Sequence, residues 1–238
     1  MRSAILADIH GNWEALQVAV TDALRHGIDR WVVLGDTVGY GADPNACFEW
    51  VLKNAGVHLM GNHDQAVIDP ALRDWFNDDA REAIVWTQKV LIPSYQEEIR
   101  YLPYLRIEKK ATYAHASPDR PKDFRYLLDW TEAESSFRAF ENSVCFIGHT
   151  HVPCCFYQNK RRVEHLGPGI LRLEEGERYI LNPGSVGQPR DRDPRLAFGI
   201  YDEEKETFEI IRLPYDNEKA ARKIRQAGLP HYLAERLL

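Results

Sequence analysis

Cysteine is scarce in this 238-residue chain, which has four, at Cys47, Cys145, Cys154 and Cys155. None are spaced as a CxxC pair, so neither a disulfide framework nor a cysteine zinc site is expected. Adjacent Cys154 and Cys155 would project to opposite faces of a strand, and all four thiols read as reduced and buried. Positive charge is also short. Thirty Lys and Arg face 36 Asp and Glu, for a formal net charge of -6, and such a surface does not attract polyanions; nucleic acid is therefore not an expected partner. Long hydrophobic runs are missing as well. No stretch approaches a membrane span, and Asp8 and His10 break the apolar start too early for a secretory leader. A cytoplasmic location without a membrane partner is the expectation. Repeats, low-complexity tracts and clear linkers are absent, so one domain over residues 1–238 is expected.

What is present begins with alternating strand and helix patterns. Arg2 to Ala7 reads as a buried strand and Asn12 to His26 as an amphipathic helix bearing Trp13, Leu16, Val20 and Leu24. Gly27 is placed to end that helix. Arg30 to Leu34 is a second strand. Asp43-Pro44 reads as an N-cap with proline in the first turn, opening a helix to about Asn54. Val57 to Met60 is the third strand, and this β-α-β-α-β order predicts parallel strands with right-handed crossovers. Residues 69–106 read as a small helical insertion over the sheet edge, its aromatics Trp75, Phe76, Trp86 and Tyr95 filling a core of its own, with a substrate wall as the alternative reading. Ala111 to Ala114 and Val144 to Ile147 are short strands, with a helix from Thr131 to Phe140 between them. The remainder is mainly β: Cys154 to Tyr157, Arg162 to Leu166, Gly169 to Leu181, and a hairpin from Leu196 to Leu213. The helix from Asn217 to Ala227 carries Lys219, Arg222, Lys223 and Arg225, which read as a solvated face. The insertion and the hairpin edge are two surfaces through which a homo-oligomer could form.

Five polar clusters follow apolar strand-like runs. They are Asp8-Ile9-His10-Gly11-Asn12, Gly35-Asp36, Gly61-Asn62-His63-Asp64, Ala114-His115-Ala116 and Gly148-His149-Thr150-His151. Asp and His hold divalent metals through carboxylate oxygen and imidazole nitrogen. Open α/β sheets place ligand sites at the carboxyl ends of their parallel strands, so the clusters can converge on one rim. Each cluster alone has a plainer reading: Asp-x-His is common, His-x-His often lies on a surface, and Asn-His-Asp could simply cap a helix. Together they point to a binuclear metallohydrolase. His26, His58, His165 and His231 lack such context and read as structural or surface residues.

In this order the motifs resemble those of the calcineurin-like metallophosphoesterases, particularly the small bacterial and archaeal phosphodiesterase-like members, over about Asp8 to Asn182. The resemblance implies an α/β class fold, a four-layer α/β/β/α sandwich of two mixed β-sheets flanked by helices. It also implies two divalent metal ions, manganese, iron, zinc or nickel. By the family pattern Asp8, His10 and His151 would hold one, Asn62, His115 and His149 the other, and Asp36 would bridge both. The implied reaction is cleavage of a small phosphomonoester or phosphodiester by a metal-bridging hydroxide. His63, beside Asn62, would assist the leaving group. Asp64 would orient His63 or cap the next helix, and Asn12 and Arg190 are candidate phosphate contacts.

One departure bears on substrate. The loop reads Gly35-Asp36-Thr37-Val38-Gly39-Tyr40-Gly41, whereas protein serine/threonine phosphatases and symmetrical dinucleoside-tetraphosphatases carry Asp-Arg-Gly at its end. Gly39 and Tyr40 thus replace an acid and an arginine, and the turn around Gly187 to Arg190 is a candidate source of the missing guanidinium. A nuclease, or a protein or dinucleotide phosphatase, of the same class is the nearer alternative. A non-catalytic protein-binding scaffold is the alternative outside enzymes; such relatives lose ligands or the catalytic histidine, whereas here all seven ligand positions and His63 are filled.

Overall fold

Strict alternation in the first strand sets the layering of the molecule. In the computed structural model, which describes residues 1–238, Arg2–Leu6 forms β1. Ala4 and Leu6 face one hydrophobic core while Ile5 and Ala7 face another. Successive strand side chains point to opposite faces, so a strand buried on both sides must be apolar throughout. Trp13–Arg25 (α1) follows, capped by Asn12, whose side chain accepts from the Ala15 N–H at 3.1 Å. Arg30–Val33 is β2, Pro44–Asn54 is α2 and Ala55–His58 is β3. The three strands pair in parallel.

The third strand starts two residues earlier than the apolar pattern predicts. A register shift at Trp31/Val32 brings Ala55 into the ladder, and Leu59 and Met60 stay buried beyond its end. Their amides bond to Val33 O and Pro103 O. Asn62–Ile68 (α3), a 3-10 turn over Pro70–Trp75, Asp78–Val90 (α4) and Pro93–Ile99 (α5) come next. The 3-10 turn, α4 and α5 pack mainly on α2 and α3. Their core includes Phe48, Met60, Val67, Ile84 and Leu91.

Leu105–Ile107 (β4), Ala111–Ala114 (β5), Trp130–Ser136 (α6) and Val144–Phe146 (β6) open the second sheet. Helix α6 ends before Phe137, and 3-10-type bonds from Arg138 and Ala139 turn the chain. Phe137 and Phe140 are thereby buried against the sheet. Cys154–Tyr157 (β7), Arg162–His165 (β8), Gly169–Arg172 (β9), Tyr179–Asn182 (β10), Leu196–Asp202 (β11) and Thr207–Leu213 (β12) complete the strands. The expected continuous run from Gly169 to Leu181 is therefore divided between sheets, with a turn through Gly176. The first sheet runs β3-β2-β1-β11-β12-β9 and the second β4-β5-β6-β10-β7-β8. Strand β9 covers β12, so the hairpin edge foreseen as an oligomer surface is not free.

Tyr113, Phe146, Tyr179 and Leu181 of the second sheet meet Ile5, Val32, Tyr201 and Phe208 of the first in the central core. Helices α1 and α2 cover the outer face of the first sheet and α6 that of the second, giving α/β/β/α layers. Cys155 faces the central core and Cys154 the outer one, and all four thiols are free and buried. Asn217–Gln226 (α7) and His231–Glu235 (α8) close the chain. The basic face of α7 is not simply solvated. Lys219 and Lys223 reach buried Glu14 of α1 at 3.1 and 2.7 Å, and Lys223 also reaches Asp43 at 2.8 Å. No helix is long and apolar enough to cross a membrane.

Candidate metal centre and its cleft

The carboxyl ends of β1, β2, β5 and β6, together with the start of α3, bring the five clusters to one rim. Asp8, His10, Asp36 and His151 place ligand-type atoms within 4.8 Å of one another, as do Asp36, His115 and His149. Asp36 belongs to both groups. Its Oδ2 lies 3.6 Å from His10 Nε2 and 3.4 Å from His115 Nε2. Asn62 joins the second group through Oδ1, 3.1 Å from His115 Nε2. His26, His58, His165 and His231 belong to neither group.

Backbone groups fix the orientation of these side chains. His10 Nδ1 lies 3.1 Å from Val38 O, His115 Nδ1 3.0 Å from Leu34 O and His151 Nδ1 2.6 Å from Gln188 O. A proton donated from Nδ1 to a carbonyl leaves Nε2 with a lone pair aimed into the centre, the arrangement that tunes a histidine ligand. Asp8 accepts from the His149 amide, at 3.0 Å on Oδ2, and Asp36 Oδ1 from the His63 amide at 2.8 Å. Asp8, His10, Asp36, His149 and His151 all have positive φ, between 50° and 68°. That region is uncommon for residues with a Cβ, though Asp and His tolerate it better than most. The carboxylate and imidazole directions thus come from tight left-handed turns, not from the simple i, i+2 alternation expected of an extended segment.

The donor set fits a cation. Nε2 of His10 and Nε2 of His151 stand 3.1 Å apart, both with Nδ1 on carbonyls; two such lone pairs attract only if a positive charge lies between them. His149 Nε2 is buried with no hydrogen-bond partner. Burial pushes the Asp8 carboxyl up to about 7 and holds His10, His149 and His151 well below the usual imidazole range, in the neutral form that ligates metals. Burial also opposes charge on His115, but the Asp36 carboxylate outweighs it and lifts that ring to about 9.

The centre floors a cleft of about 340 Å³. His63, Tyr40 and Arg190 line it beside the metal groups. The Tyr40 ring packs on His63 with centroids 4.3 Å apart, and Arg190 Nη2 lies 3.3 Å from the Tyr40 hydroxyl. A Cβ on Gly39 would stand 2.7 Å from His63 Nδ1, so no acid can occupy that position without moving the ring. Asp64 does not orient His63: its two oxygens accept from the Val38 and Gly61 amides, each at 3.1 Å. Asn12 is taken up by structure. Besides capping α1, it donates to Gly187 O at 2.9 Å and the Tyr215 hydroxyl at 3.2 Å, and it does not line the cleft.

Residues unremarked in the sequence complete the site. Asn182 ties Gly148 O and Thr150 Oγ1 at 2.7 and 3.0 Å, and Ser185 Oγ donates to Asp8 O at 2.8 Å. The Asn182-Pro183-Gly184-Ser185 run after a strand is the signal that could have found them. Trp75 fills no core of the helical segment. It is 83% exposed on the cleft wall with Phe76.

A family model described as the calcineurin-like phosphoesterase superfamily domain matches residues 1–206. The chain belongs to that superfamily. The phosphoesterase is 37% identical over 239 residues to an uncharacterized protein of Methanocaldococcus jannaschii, covering 98% of this chain and 96% of the relative. Its fold is similar to the crystal structure of a metallophosphoesterase from Sphaerobacter thermophilus, with a TM-score of 0.90 and 35% identity, covering 100% of this chain and 98% of that one. A hypothetical protein from Pyrococcus horikoshii has the same fold, with a TM-score of 0.79 at 23% identity over 99% of this chain and 97% of that one.

Proposed function

We propose that this phosphoesterase is a binuclear metal-dependent hydrolase of small phosphomonoesters or phosphodiesters. The observation that carries this reading is Asp36, a single carboxylate shared by two buried groups of metal-ligating side chains. Asp8, His10 and His151 would hold one ion and Asn62, His115 and His149 the other, with Asp36 between them. Mixed oxygen and nitrogen donors suit manganese, iron, zinc or nickel. When bound, such a pair supplies Lewis acidity toward phosphoryl oxygens and makes water a nucleophile at neutral pH.

The chain's own residues do the rest. Asp36, Asp8 and imidazoles that are neutral as ligands would set the charge of the centre. With only two anionic ligands, two divalent ions keep an excess positive charge that draws phosphate into an acidic protein. His63, lining the cleft beside Asn62, donates a proton or hydrogen bond to the leaving oxygen. Arg190, whose Nε is buried without a partner, supplies the guanidinium that Tyr40 displaces from the preceding loop, and it grips a phosphoryl oxygen.

Metal analysis of the purified protein, paired with turnover of p-nitrophenyl phosphate and bis(p-nitrophenyl) phosphate, tests this. Asp36→Asn is expected to lower both bound metal and turnover. His63→Ala is expected to lower kcat by about 10²–10⁴ with metal content unchanged. A metal-loaded protein inert toward both esters and toward nucleotides would favour the scaffold reading instead.

A further inference from the structure

The cleft wall carries more apolar aromatic surface than recognition of a phosphate needs. Trp75, at the end of its 3-10 turn, is 83% exposed beside the cleft, though tryptophan is normally buried over most of its surface. Phe76 follows it, packed edge-on against His63 with centroids 4.9 Å apart. Tyr126, 45% exposed, lies across the cleft and stacks on His149 at 3.9 Å and 25°. Lys122 and Arg236 line the same space and Asp123 only partly offsets them, so the walls add positive charge to aromatic faces.

Resting on the phosphohydrolase reading above, we infer that this cleft selects a phosphoester bearing a nucleobase, its phosphate over the metal centre and its ring against Trp75. A flat heteroaromatic ring recovers stacking energy on an exposed indole. An alkyl or sugar phosphate leaves that face in water. The cleft is of the size that takes one small molecule, and its continuity with the centre distinguishes the wall from a protein-docking patch. Lys122 and Arg236 favour an anion and supply stacking or hydrogen-bonding donors around the ring.

AMP and ribose 5-phosphate share the phosphate and sugar and differ only in the base, so their binding to manganese-loaded protein, measured by calorimetry, isolates the wall. AMP is expected to bind about tenfold more tightly. Trp75→Ala should bring the two to within about twofold, leaving ribose 5-phosphate affinity and metal content unchanged. Trp75→Phe, which keeps a ring, should restore part of the preference. Equal binding of both ligands to the native protein, or a preference that survives Trp75→Ala, overturns the nucleobase inference while the phosphate site stands. If neither ligand binds, the nucleobase inference fails, and the phosphohydrolase reading stands or falls on the aryl ester turnover above.

Discussion

Asp36 is held in close contact with the backbone of Gly61. A Cβ added to Gly61 would lie 2.0 Å from Asp36 Oδ1 and 2.2 Å from its amide nitrogen, both impossible contacts. The glycine is therefore the space in which the shared carboxylate sits, and α3 begins immediately after it. Gly61→Ala must push Asp36 away from His10 and His115, or push α3 away from β2. We expect loss of at least one equivalent of bound metal, with far-ultraviolet circular dichroism close to native, checked by elemental analysis of the purified variant. Retention of both metal equivalents would remove Gly61 from this role. Six of the seven candidate ligands are Asp or His, whose carboxylate and imidazole chemistry is written into the side chain, whereas Asn62 and the division into two sets come with the family resemblance. The left-handed backbone of five of them could not be read, since Asp and His adopt it without a sequence signature as strong as glycine's. For Trp75 the core reading outweighs the alternative of a substrate wall for a related reason: an aromatic in an amphipathic segment is usually core, and only the three-dimensional path shows it emerging at a rim.

At the scale of elements, helix α7 is tied to the body of the protein by a buried acid. Burial alone would raise the Glu14 carboxyl, yet its pairing with Lys223 and Lys219 outweighs that and holds it below the ordinary glutamate value. A carboxylate depressed in the folded state contributes stability that is fully present above its unfolded pKa and is lost as pH falls through the folded one. Docking of α7 on α1 is thus expected to weaken below about pH 4.5, the ordinary glutamate range. Denaturant midpoints measured from pH 7 down to 3 should fall less steeply for Glu14→Gln than for the native protein, from a lower value at pH 7. Parallel curves would show that Glu14 does not titrate with unfolding. The helix is expected over Asn217 to Ala227 and forms over Asn217–Gln226, but its charge pattern reads as a solvated face. That pattern could not reveal the docking, because Glu14 lies about 200 residues away in sequence and only the crossover topology brings them together. Strand boundaries were lost for a similar reason: β3 gains Ala55 and Gly56 through pairing with β2, not through their own weak strand preference.

For the whole molecule, the two sheets divide the centre between them. Asp8, His10, Asp36 and Asn62 follow β1, β2 and β3 of the first sheet, and His115, His149 and His151 follow β5 and β6 of the second. Each group of ligands draws on both sheets, so ions bound there would join layers that otherwise meet through apolar packing and the contacts of Arg30 with Glu108 and the Tyr113 hydroxyl. Binding to the folded state alone stabilises by about 2.7 kcal/mol per site at a hundredfold excess over Kd. For a chain of this length that corresponds to roughly 5–10 °C in Tm. Scanning calorimetry of chelator-treated protein, before and after manganese is restored, should show a shift of that size, and Asp36→Asn should lose most of it. A Tm indifferent to manganese would mean that the layers do not depend on the shared centre.

The cleft also separates two jobs along the chain. The floor is made by turns at strand ends where glycines such as Gly61 leave no room for an added methyl. The wall with Trp75, Tyr126, Lys122 and Arg236 comes from a 3-10 turn, a loop and the end of α8. Change in the wall reaches the floor through aromatic contacts, Tyr126 on His149, Phe76 on His63 and Phe124 on His115. A lineage carrying this architecture is therefore free to exchange one substrate for another by remodelling surface segments while the hydrolytic chemistry is inherited intact.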